Sequence, residues 1–147
     1  MRASTVSATG ILLVENEPLE REVALSGLTQ AGLSTETVVI LSDSHALPFL
    51  RRSSALERTI PAVTILGPGL PLDAALGLLI AIRGDAPLRS MPVVMIGSAP
   101  GGDWIRSAYA GGANSVVLRH EDVRARAERY AALTRFWIGA NEPAPVS

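Results

Sequence analysis

The sequence of 147 residues contains no cysteine and no lysine. Without cysteine the chain can form neither a disulfide framework nor a thiolate site for zinc binding or nucleophilic chemistry. All 13 basic residues are arginines, which excludes every mechanism that needs a lysine amine, including Schiff-base formation and the lysine of a nucleotide-binding phosphate loop. These two absences remove whole classes of enzyme.

Long apolar runs and a surplus of positive charge are missing as well. Although 48% of the residues are apolar, no run reaches the roughly 18 residues that a membrane-spanning helix needs. Residues 1–9 lack the apolar centre of a secretory signal, so we expect a cytoplasmic protein with no membrane partner. A net charge of -1 argues against a nucleic-acid partner, because such proteins concentrate positive charge to neutralise phosphates.

Five short runs of apolar and β-branched residues predict buried β-strands, because both faces of each run are apolar. The runs span residues 11–14, 37–41, 62–66, 92–96 and 115–118. Segments with helical spacing alternate with them. The first helix carries Leu19, Val23, Leu25 and Leu28 and should end before Gly32, a residue type that tolerates the positive φ of a C-terminal cap.

The other four helices are predicted from similar patterns. The second should begin after residues 42–44, and Pro48 is expected in its first turn, where a proline interrupts no helical hydrogen bond. Its apolar residues Leu47, Leu50 and Leu56 should face inward. The remaining helices are expected at about residues 73–83, 103–110 and 121–138.

This alternation predicts an α/β fold: a doubly wound, five-stranded parallel sheet with five helices in a three-layer sandwich. We expect one domain over residues 10–139, between an N-terminal tail (1–9) and an irregular C-terminal tail (140–147). In such a sheet, ligands bind in the crevice outside the carboxyl ends of the strands. Candidate functional residues should therefore follow the strands.

Four stretches of the chain, at matching spacing, resemble bacterial response-regulator receiver domains. Residues 11–18, ILLVENEP, resemble their first strand and acidic turn, and residues 61–71 resemble their phosphoacceptor strand and loop. Residues 91–96 are similar to their fourth strand, and residues 108–115 to the glycine-alanine-asparagine turn before strand five. The resemblance implies a CheY-like, flavodoxin-like (βα)5 fold. The ending, with Phe136 and Trp137, is similar to single-domain regulators that partner bacterial phytochrome kinases.

The resemblance also implies a phosphorylation site that is degenerate in this chain. Receiver chemistry uses a carboxylate nucleophile after strand three, an acidic pair after strand one for Mg²⁺, a hydroxyl after strand four and a lysine after strand five. The corresponding residues here are Gly67, the pair Glu15 and Asn16, Gly97, and Arg119. Glycine cannot accept a phosphoryl group, and a neutral amide weakens a Mg²⁺ site. We therefore expect no cofactor, and Mg²⁺ binding that is weak or absent.

Further departures concern the neighbours of this site. Val116 stands at the position of the family's switch aromatic, His120 replaces the usual proline, and Ser98 lies one residue beyond the hydroxyl position. Asp43 and Asp73 are the other aspartates to weigh as phosphoacceptors. Asp73 is interpreted as the N-cap of the third helix and Asp43 as a turn residue.

Three smaller features have a functional and a structural interpretation each. Glu15 and Glu17 form either a residual cation site or a solvated acidic turn. Residues 97–102, from Gly97 to Gly102, form either an anion-binding loop before a helix or a plain flexible loop. His45 and His120 lack the spacing of metal ligands and are interpreted as surface or capping residues.

The last helix supplies most of the predicted interface. Its residues Val123, Ala127, Tyr130, Leu133 and Trp137 recur at helical spacing, so most of them should be core. Aromatic residues near arginine favour interface centres. The interface candidates are Arg126, Tyr130, Phe136 and Trp137, with Trp104 as either an exposed contact or a cover for the loop before it.

The sequence thus predicts a pseudo-receiver of two-component or phosphorelay signalling that is not an enzyme. It would bind a sensor histidine kinase, of the phytochrome type or another, or a second response regulator, and would form a homodimer through the fourth helix, fifth strand and fifth helix. The alternative is a small-ligand or anion-binding domain, or an enzyme, that uses the crevice at the carboxyl ends of the strands.

Overall fold

The structure, a computed structural model, describes residues 10–98 and 102–142. Within these residues five β-strands alternate with five α-helices. The strands are β1 (Ile11–Val14), β2 (Thr37–Ile40), β3 (Val63–Leu66), β4 (Val93–Gly97) and β5 (Ser115–Leu118). The helices are α1 (Pro18–Gln30), α2 (Asp43–Arg52), α3 (Leu72–Gly84), α4 (Gly102–Gly111) and α5 (Val123–Arg135). The predicted tail at residues 1–9 and most of the predicted C-terminal tail lie outside the described residues.

The strands form one parallel sheet in the order β2-β1-β3-β4-β5. All residues of β1 and β3 are buried, because these central strands are covered by helices on both faces. The predicted doubly wound α/β fold is confirmed. The carboxyl ends of the five strands lie at one edge of the sheet, named the carboxyl edge below.

Two apolar cores lie on opposite faces of the sheet. Helices α2, α3 and α4 cover one face, and α1 and α5 cover the other. The latter pair approach closely at Gly27, where a β-carbon would lie 2.2 Å from the backbone oxygen of Ala127. Among the described residues, none of the helices has the length and apolar character to cross a membrane.

Helix α2 differs from the prediction at its proline and at its end. Ser42 is the N-cap, and Pro48 is the sixth helical residue rather than part of the first turn. Pro48 is exposed, so the Ser44 carbonyl that its missing N–H leaves unbonded has access to water. After α2 the chain passes through a π-helical turn (Ser53–Glu57), which leaves Leu56 75% exposed instead of inward-facing.

The starts of α3 and α5 also differ from the predictions. Asp73 is not the N-cap of α3: it is the second residue of the helix and is exposed, while Pro71 occupies the cap position. Helix α5 begins after Asp122, whose carboxylate accepts a hydrogen bond from the Ala125 N–H. Val123, predicted to be core, is 56% exposed because it lies in the first turn of α5.

Candidate functional site

Glu15 follows β1 directly and is completely buried. Its carboxylate accepts two backbone hydrogen bonds, from the Glu17 N–H to Oε2 at 3.0 Å and from the Gly69 N–H to Oε1 at 3.1 Å. No ion pair among the described residues includes Glu15. Burial raises the pKa of Glu15 above its usual range, the two N–H donors lower it, and the charges of Glu20 and Glu17 raise it further.

The Glu15 carboxylate fills the space beside the residue at the phosphoacceptor position. A β-carbon on Gly67 would lie 2.1 Å from Glu15 Oε1, and one on Gly69 would lie 2.0 Å from Glu15 Oε2. Real β-carbons do not approach other heavy atoms so closely. The observed Glu15 conformation therefore requires glycine at both positions after β3.

The rest of the acidic turn is used for helix capping. Glu17 is the N-cap of α1, and its Oε2 accepts the Glu20 N–H at 2.7 Å. Asn16 is exposed, and its backbone oxygen accepts a hydrogen bond from Arg21 at 3.0 Å. Over the part of the chain that the structure describes, no cluster of three or more acidic, histidine or cysteine residues could hold a metal ion.

Trp104 of α4 takes the space that a hydroxyl side chain at position 97 would need. A β-carbon on Gly97 would lie 2.4 Å from Cη2 of the indole, and Trp104 is 9% exposed. The expectation of Trp104 as an exposed contact residue is therefore wrong, because its ring packs over the end of β4. Ser98 is exposed. The predicted anion-binding loop lies largely at residues 99–101, outside the described residues.

A small apolar cavity remains at the carboxyl edge between β3, α3, β4 and α4. Its volume is about 100 Å³. The wall includes Gly67, Leu70, Leu72, Met95 and Trp104. Among the described residues, this wall contains no acid, base or cation that could support an ionic reaction.

Arg119, at the lysine position, contacts α1 instead of the residues after β3. Its Nη1 atom lies 3.5 Å from Oε1 of Glu20, a carboxylate that is 1% exposed. The same oxygen accepts a hydrogen bond from Arg126 Nη1 at 3.0 Å, and the Tyr130 hydroxyl donates to Oε2 at 2.8 Å. Glu20 thus joins α1 to β5 and α5.

Glu20 is the residue of this network that sequence reasoning missed. A signal exists in the sequence: Glu20 shares the buried face of α1 with Ala24, Gly27 and Leu28, at spacings of four, three and one. A carboxylate on an apolar helix face needs a buried partner. The partners are 99 to 110 residues away in the chain, however, so their identity depends on the tertiary fold.

The predicted interface residues divide into buried and exposed ones. Tyr130 is 2% exposed, and burial next to Glu20 raises the pKa of its hydroxyl. Because the Tyr130 side chain packs in the interior against α1, its prediction as an interface residue is wrong. The Arg126 side chain is also mostly covered. Phe136 is 50% exposed and meets Trp137 edge to face, with ring centroids 5.2 Å apart.

Strand β5 forms one edge of the sheet. Some of its backbone groups form hydrogen bonds with side chains. The Val116 N–H donates to the Tyr109 hydroxyl at 3.2 Å. Arg129 donates to the Leu118 carbonyl. Val116 is half-buried at the position of the family's switch aromatic.

The remaining candidates do not meet at one site. Asp43 is the first residue of α2 and Asp73 lies in the first turn of α3. Neither lines the cavity at the carboxyl edge. His45 is exposed, and His120 accepts a hydrogen bond from the Asp122 N–H at 3.0 Å, which is a capping role.

Comparisons with known proteins agree with the fold. No family model matches the chain. The probable methanogenesis regulatory protein FilR2 of Methanothrix harundinacea (strain 6Ac) is 26% identical over 139 residues, covering 92% of this chain and 88% of that protein. The bacteriophytochrome response regulator RtBRR is 30% identical, covering 92% of this chain and 84% of that one, with a TM-score of 0.70. The phosphorylated cyanobacterial phytochrome response regulator RcpA, 20% identical, shares the fold over 92% of this chain and 98% of its own, with a TM-score of 0.80.

Proposed function

Because the chain belongs to the response-regulator receiver family, we propose that it is a pseudo-receiver, a signalling domain that binds its partners without being phosphorylated on an aspartate. The observation that carries this proposal is the position of Glu15. Its buried carboxylate occupies the room beside Gly67 in which a phosphoacceptor side chain would have to lie. The chain thus lacks the nucleophile, and the observed Glu15 conformation fills the space beside its position.

The electrostatics of the site support the same proposal. A phosphoryl group in transfer carries negative charge, which needs a divalent ion or a positioned cation. Here an incoming phosphoryl group would meet the Glu15 carboxylate, while Arg119 is held toward Glu20 on the side of α1. We expect weak or no Mg²⁺ binding, because the Glu15 oxygens already accept two backbone N–H groups and Asn16 is uncharged.

Residues that the family uses to respond to phosphorylation are also replaced on β4 and β5. Trp104 covers the end of β4 where a signalling hydroxyl would stand, and its ring leaves no room for a side chain at Gly97. Val116 replaces the aromatic residue that reports phosphorylation in the family. Without these residues the signal of the domain would depend on which partner it binds.

The partner that we propose is a sensor histidine kinase or a second response regulator. RtBRR and RcpA are by name phytochrome response regulators, which favours a kinase of the phytochrome type. The contact surface would be the face of α4, β5 and α5, where Tyr109, Leu118 and Phe136 are 40 to 51% exposed. The same face would support a homodimer.

The direct test is incubation with acetyl phosphate and Mg²⁺, followed by intact mass measurement. A receiver that carries the phosphoacceptor aspartate serves as the positive control under the same conditions. We expect no added mass. A gain of one phosphoryl group, mapped by peptide analysis to Asp43 or Asp73, would contradict the proposal and identify an alternative acceptor.

Partner binding needs a separate test. The sensor kinases of the source organism are presented to the immobilised protein, each with and without ATP. We expect one kinase to bind with an affinity that ATP does not change, because no phosphoryl group reaches the bound domain. If ATP abolished binding because the kinase transferred a phosphoryl group, the result would count against a domain that is not phosphorylated.

A second candidate function is small-ligand binding at the carboxyl edge. The cavity of about 100 Å³ beside Gly67 and Trp104 favours it, since doubly wound folds often bind ligands there. A thermal-shift screen with nucleotides, Mg²⁺ and small apolar compounds tests this alternative. The ligand-binding function would be favoured if one compound stabilised the protein saturably, if this effect were lost in Leu70→Ser, and if no kinase partner were found.

A further inference from the structure

The edge of the sheet opposite the carboxyl edge carries a basic surface. Because the helices run antiparallel to the strands, α2 and α3 end at this edge. Two segments form the surface: residues 51–61 at the end of α2 and residues 83–90 at the end of α3. An ion pair from Arg51 Nε to Asp85 Oδ2, at 2.8 Å, joins them. These two segments are named the basic end below.

The basic end has an excess of positive charge. It contains five arginines and two acidic residues, which leaves three positive charges, while the whole chain carries a net charge of -1. Of the two acidic residues, Asp85 pairs with Arg51, and Glu57 is exposed. Arg52 and Arg58 are also exposed, and neither takes part in an ion pair within residues 10–98 and 102–142. The charge of these two guanidinium groups is therefore open to a partner.

Arg58 has a backbone conformation that arginine rarely adopts. Its φ is +55°, in the left-handed region, where a β-carbon is strained and glycine or asparagine is usual. Among the residues that the structure describes, it is the one non-glycine residue with a positive φ. Residues held in such conformations are frequent at binding sites. The side chain of Arg58 is therefore a candidate binding group.

Leu56 gives the basic end an apolar centre. It lies on the π-helical turn Ser53–Glu57 and is 75% exposed, more than any other large apolar side chain in the described part of the chain. Single π-helical turns are rare and occur frequently at functional sites. In the sequence Leu56 stands between Arg52 and Arg58, and an apolar centre with a charged rim is the usual anatomy of a protein interface.

We propose that the basic end docks an acidic segment of a partner protein, whose carboxylates pair with Arg52 and Arg58 and whose apolar side chain covers Leu56. The planar guanidinium group matches a carboxylate with two parallel hydrogen bonds, which favours this partner. The site is independent of the pseudo-receiver function. It lies at the opposite edge of the sheet and needs neither a phosphoacceptor nor the face of α4, β5 and α5.

Two other anionic partners fit the basic end less well. Single-stranded nucleic acid is held by aromatic side chains that stack on its bases, and residues 51–61 and 83–90 include no phenylalanine, tyrosine or tryptophan. A membrane would receive one leucine from this surface. Even a myristoyl chain, which buries far more apolar area than one leucine, gives only marginal membrane binding.

Binding assays with four probes test the proposal. The probes are a short peptide of glutamates and leucines, the same peptide with glutamine in place of glutamate, single-stranded DNA, and vesicles that contain phosphatidylserine. We expect saturable binding of the acidic peptide that weakens as the salt concentration rises, and none of the glutamine peptide. No saturable binding of the acidic peptide, or tighter binding of the DNA or the vesicles, would overturn the proposal.

Charge-matched variants locate the binding. Arg52→Gln and Arg58→Gln should each weaken binding of the acidic peptide about tenfold or more, because each removes a charge-assisted hydrogen bond. Leu56→Ser should also weaken it. Arg124→Gln makes the same charge change at an exposed residue in the first turn of α5, at the carboxyl edge, and should bind as the parent does. Equal weakening in Arg124→Gln and Arg58→Gln would show a response to net charge alone, and would overturn the site.

Arg58→Asn separates binding from folding. Asparagine adopts the left-handed conformation more readily than arginine, so the midpoint of thermal unfolding should stay the same or rise. Peptide affinity should fall as in Arg58→Gln. A lower midpoint together with unchanged affinity would show that Arg58 serves the fold alone, and would overturn its role in docking.

Discussion

Oε1 of Glu15 lies 2.1 Å from the point at which a β-carbon on Gly67 would stand. The two residues follow neighbouring strands whose last residues, Val14 and Leu66, are paired in register. A buried acidic side chain at the end of β1 and the absence of any side chain at the end of β3 are therefore complementary. The lost phosphoacceptor and the inward glutamate form one structural unit, so neither can be changed alone without cost.

The first prediction concerns this complementarity. Gly67→Ala should lower the free energy of unfolding by about 1–3 kcal/mol, because the added methyl group overpacks a site closed by Glu15. Gly77→Ala is the matched control: it lies on an exposed face of α3 with no atom within 4 Å of its would-be β-carbon, and should stabilise the helix by up to about 1 kcal/mol. Urea denaturation measures both.

A double mutant shows whether Glu15 is the cause. In the Glu15→Ala background the space beside Gly67 is empty, so Gly67→Ala should cost much less there than in the parent. The two changes are then strongly non-additive. Equal costs of Gly67→Ala in both backgrounds would mean that the glycine is required for another reason.

The second prediction is a pH dependence of stability caused by Glu15. Burial raises the pKa of this carboxyl in the folded state, so the neutral form is favoured on folding. Its contribution is fully present below the pKa of the unfolded chain and is lost as the pH rises through the higher folded pKa. Stability relative to Glu15→Gln, which does not titrate, should therefore fall between these two values, by at most about 1.4 kcal/mol per pH unit.

Denaturation of both proteins at a series of pH values checks this difference. The comparison removes the contribution of every other titrating group, because those groups are shared. If the parent instead became more stable relative to Glu15→Gln as the pH rises, the two backbone donors on Glu15 would outweigh its burial. That result would reverse the assigned cause.

The third prediction concerns the buried hydrogen bond between Tyr130 and Glu20. Tyr130→Phe removes the hydroxyl that donates to Oε2 at 2.8 Å, and should destabilise the protein by about 1.5–3 kcal/mol because the acceptor is a buried carboxylate. Tyr109→Phe is the matched control. Its hydroxyl accepts one exposed backbone N–H from Val116, so its loss should cost less than about 1 kcal/mol. Similar costs for both variants would show that the Glu20 network adds little to stability.

The fold was predictable because its signals are local. Each strand is a short apolar run between turn residues, and α1 ends before Gly32, whose φ of +75° is one that glycine adopts readily. The parallel order then follows from alternation and crossover handedness. The errors lie where local signals conflict with packing: Pro48 inside α2, and Leu56 on a π-helical turn, depend on how the chain leaves the helix.

The site was predictable in its losses but not in its replacements. That Gly67 bears no nucleophile follows from the sequence and its family resemblance. That Glu15 turns inward, Trp104 closes over Gly97 and Arg119 pairs with Glu20 depends on side-chain conformations and on contacts across 7 to 99 residues of the chain. The hydrophobic periodicity of the sequence does not predict such contacts. For the same reason Tyr130 was assigned to an interface, although its hydroxyl meets α1 in the interior.

The last prediction concerns self-association through the π-helical turn (Phe136–Ala140) that follows α5. Phe136 is 50% exposed beside Trp137, and aromatic residues are enriched at the centres of interfaces. We expect sedimentation velocity to show a dimer whose fraction rises with concentration in the micromolar range, and Phe136→Ser to shift it to monomer. Leu56→Ser is the matched control, since Leu56 is 75% exposed on the π-helical turn after α2 and should leave the dimer intact. A parent protein that stays monomeric at these concentrations would contradict the dimer, and a dimer that Leu56→Ser dissociates and Phe136→Ser does not would place the interface away from Phe136.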